Sequence, residues 1–251
     1  MTITGHGKLY LNMSGDMKHT VEFRSDGGQI VSYEVPKSYR DPIHENALLS
    51  PDRVAWSKKG DPPQMMHTTD SLAAELQRLR DRPGADAAPP VLSLFVIDVD
   101  GDAAEYARRL RSAISPAVRL GSTADFEQES LPVDDVPDWF AAVSSQDPEQ
   151  APQFARAGCD RYAEHTGGGR PWELQDWLYR FDPDEDSRGW EWWDATPVGP
   201  SRVHLWVDSW GESFFGCQDL LWAAYAAGAV RVDGPAVQKS AVWSAERNAS
   251  R

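Results

Sequence analysis

The chain has 251 residues, 39 acidic against 25 basic, and a formal net charge of −14. That balance argues against nucleic-acid binding, which needs a surplus of Lys and Arg to neutralise phosphates. It argues equally against binding to an anionic membrane surface. With 41% hydrophobic residues the chain is too apolar for intrinsic disorder. The length fits one large domain or two small ones.

The chain carries no sequence signal for secretion or for membrane insertion. Residues 1–7 contain neither a basic start nor the apolar stretch of a signal peptide. The longest apolar run, residues 220–228, is about half as long as a bilayer span requires. We therefore expect a cytoplasmic protein, and the dominance of Arg over Lys is typical of a GC-rich bacterial genome.

The acidic excess is confined to one part of the chain. Residues 121–219 hold 21 acidic and six basic residues, whereas the segments on either side are close to neutral. Eight of the eleven tryptophans lie in the same stretch: Trp139, Trp172, Trp177, Trp190, Trp192, Trp193, Trp206 and Trp210. Because charge and indole are concentrated together, this half of the chain is the first place to look for function.

The N-terminal third is predicted to be rich in β-strands. Short runs of β-branched and aromatic residues occupy Lys8–Met13, Thr20–Arg24 and Gln29–Val35, with Gly-containing turns between them. A Pro-rich stretch follows up to residue 66. We expect a boundary there, giving a β-rich region 1–66 and an α/β region 67–251. The alternatives are a boundary near Pro83–Pro90 and a single continuous domain.

A β/α unit is predicted in the middle of the chain. Asp70 is a candidate N-cap for a helix reaching Arg82. The run Val91–Ile97 is almost continuously apolar, which favours a strand buried on both faces, most often in a parallel sheet. Asp102 can cap the next helix, Ala103–Ile114, which we expect to stop at Pro116.

The C-terminal half is predicted to alternate helices and strands. Residues 121–151 are expected to be loop, with one helical turn near Trp139. The expected elements are then helices at 149–165 and 171–180, strands Trp190–Ala195 and Arg202–Ser209, a helix Cys217–Ala227, and a last strand Val230–Val232. The whole pattern indicates an α+β fold, or an α/β fold with a mixed sheet: a β-rich N-terminal third, a central β/α unit and an acidic, Trp-rich C-terminal half.

A first candidate site follows the central strand. Asp98, Asp100 and Asp102 alternate at its carboxyl end, where oxygen ligands could hold a divalent metal. The run resembles the first motif of haloacid-dehalogenase-type phosphotransferases, but no Lys lies between Lys59 and Lys239 to bind phosphate, so we do not assign the chain to that family. The alternative is a turn in which Asp102 only caps the helix. No cofactor is predicted beyond this possible metal.

A second candidate site lies on the C-terminal hairpin. If Trp193 pairs opposite His204, strand alternation places Trp206, Asp208 and Glu191 on the same face as both. Two indoles, an imidazole and two carboxylates would suit a cation or a sugar. Trp210 follows directly. The alternative is that the indoles belong to the core and that the imidazole makes an ordinary hydrogen bond.

Two functions follow from these patterns. We expect a binding protein, immunity- or inhibitor-like, whose acidic and Trp-rich surface engages a basic protein or a cationic small ligand, because Trp favours interfaces and negative potential attracts basic partners. The alternative is a metal-assisted hydrolase or transferase that uses Asp98 and Asp100, with His204 or Glu191 as acid or base and Asp208 as a further catalytic candidate. The sequence does not decide whether the protein is an enzyme.

Overall fold

The computed structural model describes the backbone of residues 11–13, 19–24 and 30–35, and both backbone and side chains of residues 67–145, 147–185 and 187–249. Contacts between Cα atoms divide the chain into two units, Met1–Gly60 and Asp61–Arg251. The division at residue 66 that the sequence indicates stays a prediction.

The described part of the first unit is a three-stranded antiparallel sheet. Its strands are β1 (Leu11–Met13), β2 (His19–Arg24) and β3 (Ile30–Val35), and β2 pairs with both neighbours. The expected strands overlap these ranges. The broader expectation of a β-rich N-terminal third stays a prediction, because most of residues 1–66 lie outside the described part of the chain.

The second unit combines helices with a four-stranded sheet, which confirms a mixed α+β fold. Its helices are α1 (Thr69–Arg80), α2 (Ala103–Thr123), α3 (Asp138–Val143), α4 (Gln153–His165), α5 (Leu174–Tyr179), α6 (Gln218–Ala226) and α7 (Ser240–Ala249), with short 3-10 turns at Ala85–Ala87 and Pro148–Gln150. Its strands are β4 (Val91–Val99), β5 (Glu191–Pro197), β6 (Arg202–Asp208) and β7 (Ala229–Lys239), arranged in the order β5-β6-β4-β7.

Every pair of neighbouring strands in this sheet is antiparallel, so the expectations of a parallel setting for β4 and of a mixed sheet are wrong. The apolar character of β4 has another cause. Phe95 and Ile97 enter the main core with α2 and α6, whereas Leu92 packs with Trp206 and Trp243 on the opposite face, under α7. Helices on both faces of an antiparallel sheet bury its central strand as fully as a parallel sheet would.

Side chains of α1 and α2 cover the outer edge of β5. Glu75 accepts a hydrogen bond from the Trp192 backbone N–H at 2.6 Å, and Arg78 Nε donates to the Trp192 carbonyl at 2.8 Å. Arg111 donates to the Ala195 carbonyl at 2.7 Å. An unpaired strand edge invites pairing with another chain, and these side chains take the place of a neighbouring strand.

The start of α1 and the end of α2 differ from the predicted boundaries. Thr68, not Asp70, caps α1, because Thr68 and Ser71 exchange reciprocal backbone-to-side-chain hydrogen bonds. Asp102 caps α2 as predicted, but this helix runs through Pro116 to Thr123. Pro116 itself is buried, as are Ile114 and Ala117, and the packing of this face offsets the missing N–H.

The C-terminal segment is more regular than predicted. Instead of a strand at residues 230–232, β7 spans eleven residues along β4, and α7 follows without an intervening loop. Gly228 adopts φ = +105° just beyond α6, as expected for a helix-ending glycine. Trp243 is the one fully buried side chain of α7, and it positions this helix on the sheet.

Candidate functional site

The register of the β5–β6 hairpin differs from the predicted one. Thr196, not Trp193, lies opposite His204, and Asp194 lies opposite Trp206. A β-bulge between Trp192 and Asp194 inserts one extra residue into β5. The pattern of alternating residues could not reveal this insertion, because a bulge changes the pairing without changing the composition of the strand.

The bulge still leaves the candidate residues on one face. Glu191 is the cross-strand partner of Asp208, and the alternation of β6 places His204 and Trp206 on the same side as Asp208. Trp193 joins the cluster that contains Trp206. The structure therefore gathers these residues on the face that α7 partly covers.

The indoles of Trp193 and Trp206 are buried under α7. Trp193 packs against Trp243 with ring centroids 5.6 Å apart, and the Trp206 side chain is fully buried. His204 Nδ1 lies 2.9 Å from Glu246 Oε1 of the same helix. A ligand cannot reach these two indoles while α7 is in place, so they serve as core here.

His204 is also remote from Glu191 and Asp208, the two carboxylates on the same face. Four residues along β6 separate it from Asp208, which corresponds to about 13 Å for an extended strand. Because Glu191 lies opposite Asp208, it is equally far from the imidazole. Direct proton transfer between His204 and either carboxylate is thus outside hydrogen-bond reach.

Glu191, Asp208 and Trp210 do come together, with two residues that the sequence did not indicate. We call His67, Arg78, Glu191, Asp208 and Trp210 the hairpin corner. Arg78 Nη2 donates to Glu191 Oε2 at 2.8 Å, and His67 Nδ1 lies 3.6 Å from Glu191 Oε1. The Trp210 backbone N–H donates to Asp208 Oδ1 at 2.8 Å, and its indole meets His67 edge to face at 5.3 Å.

The pKa values of the two carboxyl groups of the corner, Glu191 and Asp208, are shifted in opposite directions. Burial works to raise the pKa of Glu191, but the neighbouring His67 and Ser71 and the charge of Arg78 outweigh it and lower the pKa to about 2. The pKa of Asp208 is raised, mainly by burial and further by the negative charge of Glu191. Burial likewise raises the pKa of Glu212, which lies in the turn after β6.

The turn after β6 holds Trp210 in an unusual backbone conformation. Trp210 and Gly211 have φ of +52° and +82°, and Glu212 N–H donates to the Ser209 carbonyl at 2.8 Å. These features define a type I′ turn, which favours Asn or Gly and rarely accepts an aromatic residue at its first central position. The surrounding structure must therefore compensate the strain at Trp210.

A buried ion pair lies beside the corner. Arg188 donates to both oxygens of Glu75, at 2.7 and 2.8 Å, and both side chains are fully buried. His67 Nε2 lies 2.8 Å from the Arg188 carbonyl oxygen and donates to it. Sequence reasoning missed all three residues, since they are far apart in the chain and no local motif connects them.

The Asp98–Asp102 run is not assembled as a metal site. Arg202 Nε donates to Asp98 Oδ1 at 2.7 Å and lowers the pKa of that carboxyl, while Asp102 accepts the capping hydrogen bond from Ala104. The Asp100 side chain is exposed. In the described ranges, no three His, Cys, Asp or Glu side chains are grouped so that they could hold a metal ion.

The tryptophans of the acidic stretch are largely core residues. Trp177, Trp190, Trp192, Trp193 and Trp206 are buried, and Trp139, Trp172 and Trp210 are half-buried. Acidic residues and tryptophans that are close in the sequence are therefore largely separated in the structure. Most of the indoles face inward, and only three keep part of their surface for contact.

The exposed acid is concentrated where the loop after α2 packs on α5. Residues 125–138 carry six carboxylates, all exposed, and no Lys or Arg. Gln175 of α5 exchanges hydrogen bonds with the Leu131 backbone at 2.9 and 3.1 Å, and the Tyr179 hydroxyl donates to the Gln128 carbonyl. Because these bonds fix the loop, residues 125–138 and 173–185 form one surface, which we call the acidic surface.

No protein-family model, no curated protein and no solved structure matches the chain. Among the helices that the structure describes, none has the length and apolar character needed to cross a bilayer.

Proposed function

We propose that this chain is a binding protein, immunity- or inhibitor-like, that engages a basic partner or cationic ligand through its acidic surface. The observation that carries the proposal is the set of six exposed carboxylates in residues 125–138, held against α5 without a basic residue among them. A concentrated negative field of this kind accelerates encounter with positively charged surfaces.

Neighbouring charges leave most of this field uncompensated. Residues 173–185 add five more acidic residues and only one base, Arg180. Arg119 reaches in from α2 and pairs with Asp135 at 2.7 Å, but both side chains are well exposed. Exposed pairs of this kind contribute little energy and are screened by salt. Like charges this close together oppose one another in the free protein, and a basic partner would relieve that repulsion.

Two half-buried indoles give the acidic surface an aromatic component. Trp139 follows Asp138 at the start of α3, and Trp172 precedes Glu173 just before α5. The Leu174 backbone N–H donates to the Ser144 carbonyl at 2.9 Å, which fixes the start of α5 against the end of α3. Indoles that are partly exposed beside carboxylates suit recognition of Lys and Arg, since a cation stacks on the ring while the acids attract it.

Two triple variants test this proposal at equal net charge. The first neutralises the surface with Glu127→Gln, Glu129→Gln and Asp134→Asn. The matched control neutralises exposed acids elsewhere with Asp70→Asn, Asp86→Asn and Asp100→Asn. Binding of a ten-residue lysine peptide is measured by calorimetry at several salt concentrations. We expect the surface variant to weaken binding roughly tenfold more than the control, because the local field and not the total charge attracts the peptide. Equal losses would contradict the proposal.

The alternative function, a metal-assisted hydrolase or transferase using Asp98 and Asp100, stays a prediction. It would require Asp98 to exchange its Arg202 partner for a metal ion. A rise in melting temperature with Mg²⁺, Mn²⁺, Ca²⁺ or Zn²⁺ that is lost in Asp98→Asn would favour it over the binding function, since a ligand of the native state raises apparent stability.

A further inference from the structure

Helix α7 packs on a small aromatic cluster that is separate from the main core. Trp243, the one buried residue of α7, joins Leu92, Trp193 and Trp206 on one face of the sheet. The main core is a different cluster, on the opposite face. Because the two clusters are separate, opening of α7 would uncover the small one and leave the main core packed.

Two side chains of α7 contact polar groups of the sheet. The Trp243 indole N–H donates to Asp194 Oδ2 at 3.0 Å, and Glu246 Oε1 lies 2.9 Å from His204 Nδ1. The imidazole and the Glu246 carboxylate are both partly exposed, so water competes for their contact and limits what it contributes.

The face under α7 holds two hydrogen-bond donors that lack acceptors. The indole N–H groups of Trp193 and Trp206 are buried, and the described part of the chain gives neither of them a partner. An indole N–H can only donate, and burying it without an acceptor costs free energy. Because both rings belong to the cluster under α7, its opening would let water or the oxygen atoms of a ligand satisfy these donors.

Trp243 and Glu246 together present the features of a small ligand. They are three positions apart, so they lie on the same side of the helix. Trp243 places an aromatic ring 5.6 Å from the Trp193 ring and an N–H donor on Asp194, and Glu246 places a carboxylate on His204. A free aromatic acid could make the same three contacts.

We propose that α7 is a lid over a binding site for an aromatic carboxylate, and that Trp243 and Glu246 occupy this site in the closed form. In the open form the ligand ring packs on Trp193 and its carboxylate meets His204. The Trp193 and Trp206 N–H groups are further donors to its oxygen atoms. The proposal goes beyond the acidic surface, because it concerns other residues and an anionic ligand, and it stands whether or not residues 125–138 have a partner.

Hydrogen exchange measured by NMR on the full chain tests the opening of the lid. We expect the indole N–H groups of Trp193, Trp206 and Trp243 to exchange at one common rate, roughly tenfold or more above that of the β4 amides. The reason is that local opening needs less free energy than global unfolding. Each indole resonance is assigned by its loss in Trp193→Phe, Trp206→Phe or Trp243→Phe. Exchange of the three indoles only at the β4 rate would overturn the proposal.

Indole-3-butyrate tests the ligand, and its methyl ester, which lacks the negative charge, is the control. A ligand that binds only the open form shifts the population towards that form. The acid should therefore speed exchange of the α7 amides while it slows exchange of the Trp193 and Trp206 indoles. The ester should bind roughly tenfold more weakly, since a charged acceptor makes the stronger hydrogen bond. Slower exchange of α7, equal affinity for acid and ester, or no saturable binding would contradict the proposal.

Two variants separate the lid from the site. Glu246→Gln removes the charge that α7 places on His204, so the open form is more populated and the acid should bind about threefold to tenfold more tightly. His204→Gln removes the partner of both carboxylates, so the lid opens more easily but the acid should bind roughly tenfold more weakly than it binds Glu246→Gln. Asp138→Asn, an exposed acid away from α7, is the control and should bind as wild type does. The same affinity in all three variants would show that α7 does not cover the site.

Discussion

Glu75 and Arg188 form a bidentate ion pair in the interior, although 113 positions separate them in the chain. One oxygen of Glu75 also accepts from the Trp192 backbone N–H. The pair thereby joins α1, the segment before β5 and the edge of the sheet. Because both charges are buried, each depends on the other for compensation.

Replacing Glu75 by Gln should destabilise the protein strongly. Gln keeps the shape of the side chain, but it leaves the Arg188 charge buried without a counter-charge. We expect the free energy of unfolding to fall by about 3–5 kcal/mol, as for other broken buried pairs. Urea denaturation followed by circular dichroism measures the loss. Asp138→Asn on the surface serves as the control, and a loss for Glu75→Gln no larger than that of the control would show that the pair is dispensable.

Gly158 should not tolerate even a methyl group. A Cβ atom at this position of α4 would lie 2.1 Å from the Tyr225 carbonyl oxygen, so the backbones of α4 and α6 would have to separate. We expect Gly158→Ala to lower the free energy of unfolding by about 1–3 kcal/mol, the usual cost of overpacking. Gly199, whose Cβ would meet nothing within 4 Å, is the matched control. Equal melting temperatures for the two alanine variants would refute this account of the helix contact.

Glu191 and Glu212 should make opposite contributions to stability as the pH changes. The pKa of Glu191 is lowered to about 2, so its stabilising effect is present above its ordinary pKa of 4.5 and is lost as the pH falls towards 2. The pKa of Glu212 is raised by burial, so its ionised form destabilises the fold at neutral pH. That penalty disappears as the pH falls through its raised pKa towards 4.5.

Unfolding measured from pH 7 to pH 2 should therefore separate two variants. Glu191→Gln should be less stable than wild type at pH 7, and the difference should shrink below pH 4.5. Glu212→Gln should be at least as stable as wild type at pH 7 and lose its advantage in acid. Parallel curves for wild type and both variants would show that neither carboxyl changes its pKa on folding.

Trp243 should hold α7 by packing and by one hydrogen bond. Its indole N–H donates to Asp194 Oδ2 at 3.0 Å, and its ring packs on Trp193. Trp243→Phe should cost about 1.5–3 kcal/mol for the lost bond to a charged acceptor, and Trp243→Ala about 3–5 kcal/mol for the cavity. Thermal unfolding checks both values. Val242→Ala, at an exposed position of the same helix, should cost little; a loss there as large as that of Trp243→Ala would show that Trp243 is not the residue that holds α7.

The sequence predicted those elements whose signals are local. The apolar run at 91–97 and the Asp102 cap both appear in the structure, because strand composition and helix capping are set by neighbouring residues. Pro116 misled the prediction, since tertiary burial of α2 outweighs the local cost of a proline. The terminal helix α7 was missed; Trp243 is its one buried residue, so a single tertiary contact positions it on the sheet.

The candidate site could be predicted only in part. Glu191 and Asp208 come from adjacent strands, so hairpin reasoning could place them on one face. The bulge at Trp193 and the helix over Trp206 could not be read from alternation. His67 donates to the Arg188 carbonyl, 121 positions further along the chain. No spacing rule connects residues that far apart, so the place of His67 in the corner could not be predicted.

The side chains of α1 that cover the edge of β5 are synthesised before that strand. Glu75 precedes Trp192 by 117 positions, so the ribosome completes α1 well before the strand that it protects. Proteins begin to fold from the N-terminal side as they emerge. The residues that cover the edge are therefore already synthesised when β5 leaves the ribosome, so the edge can be covered within its own chain before another copy pairs with it.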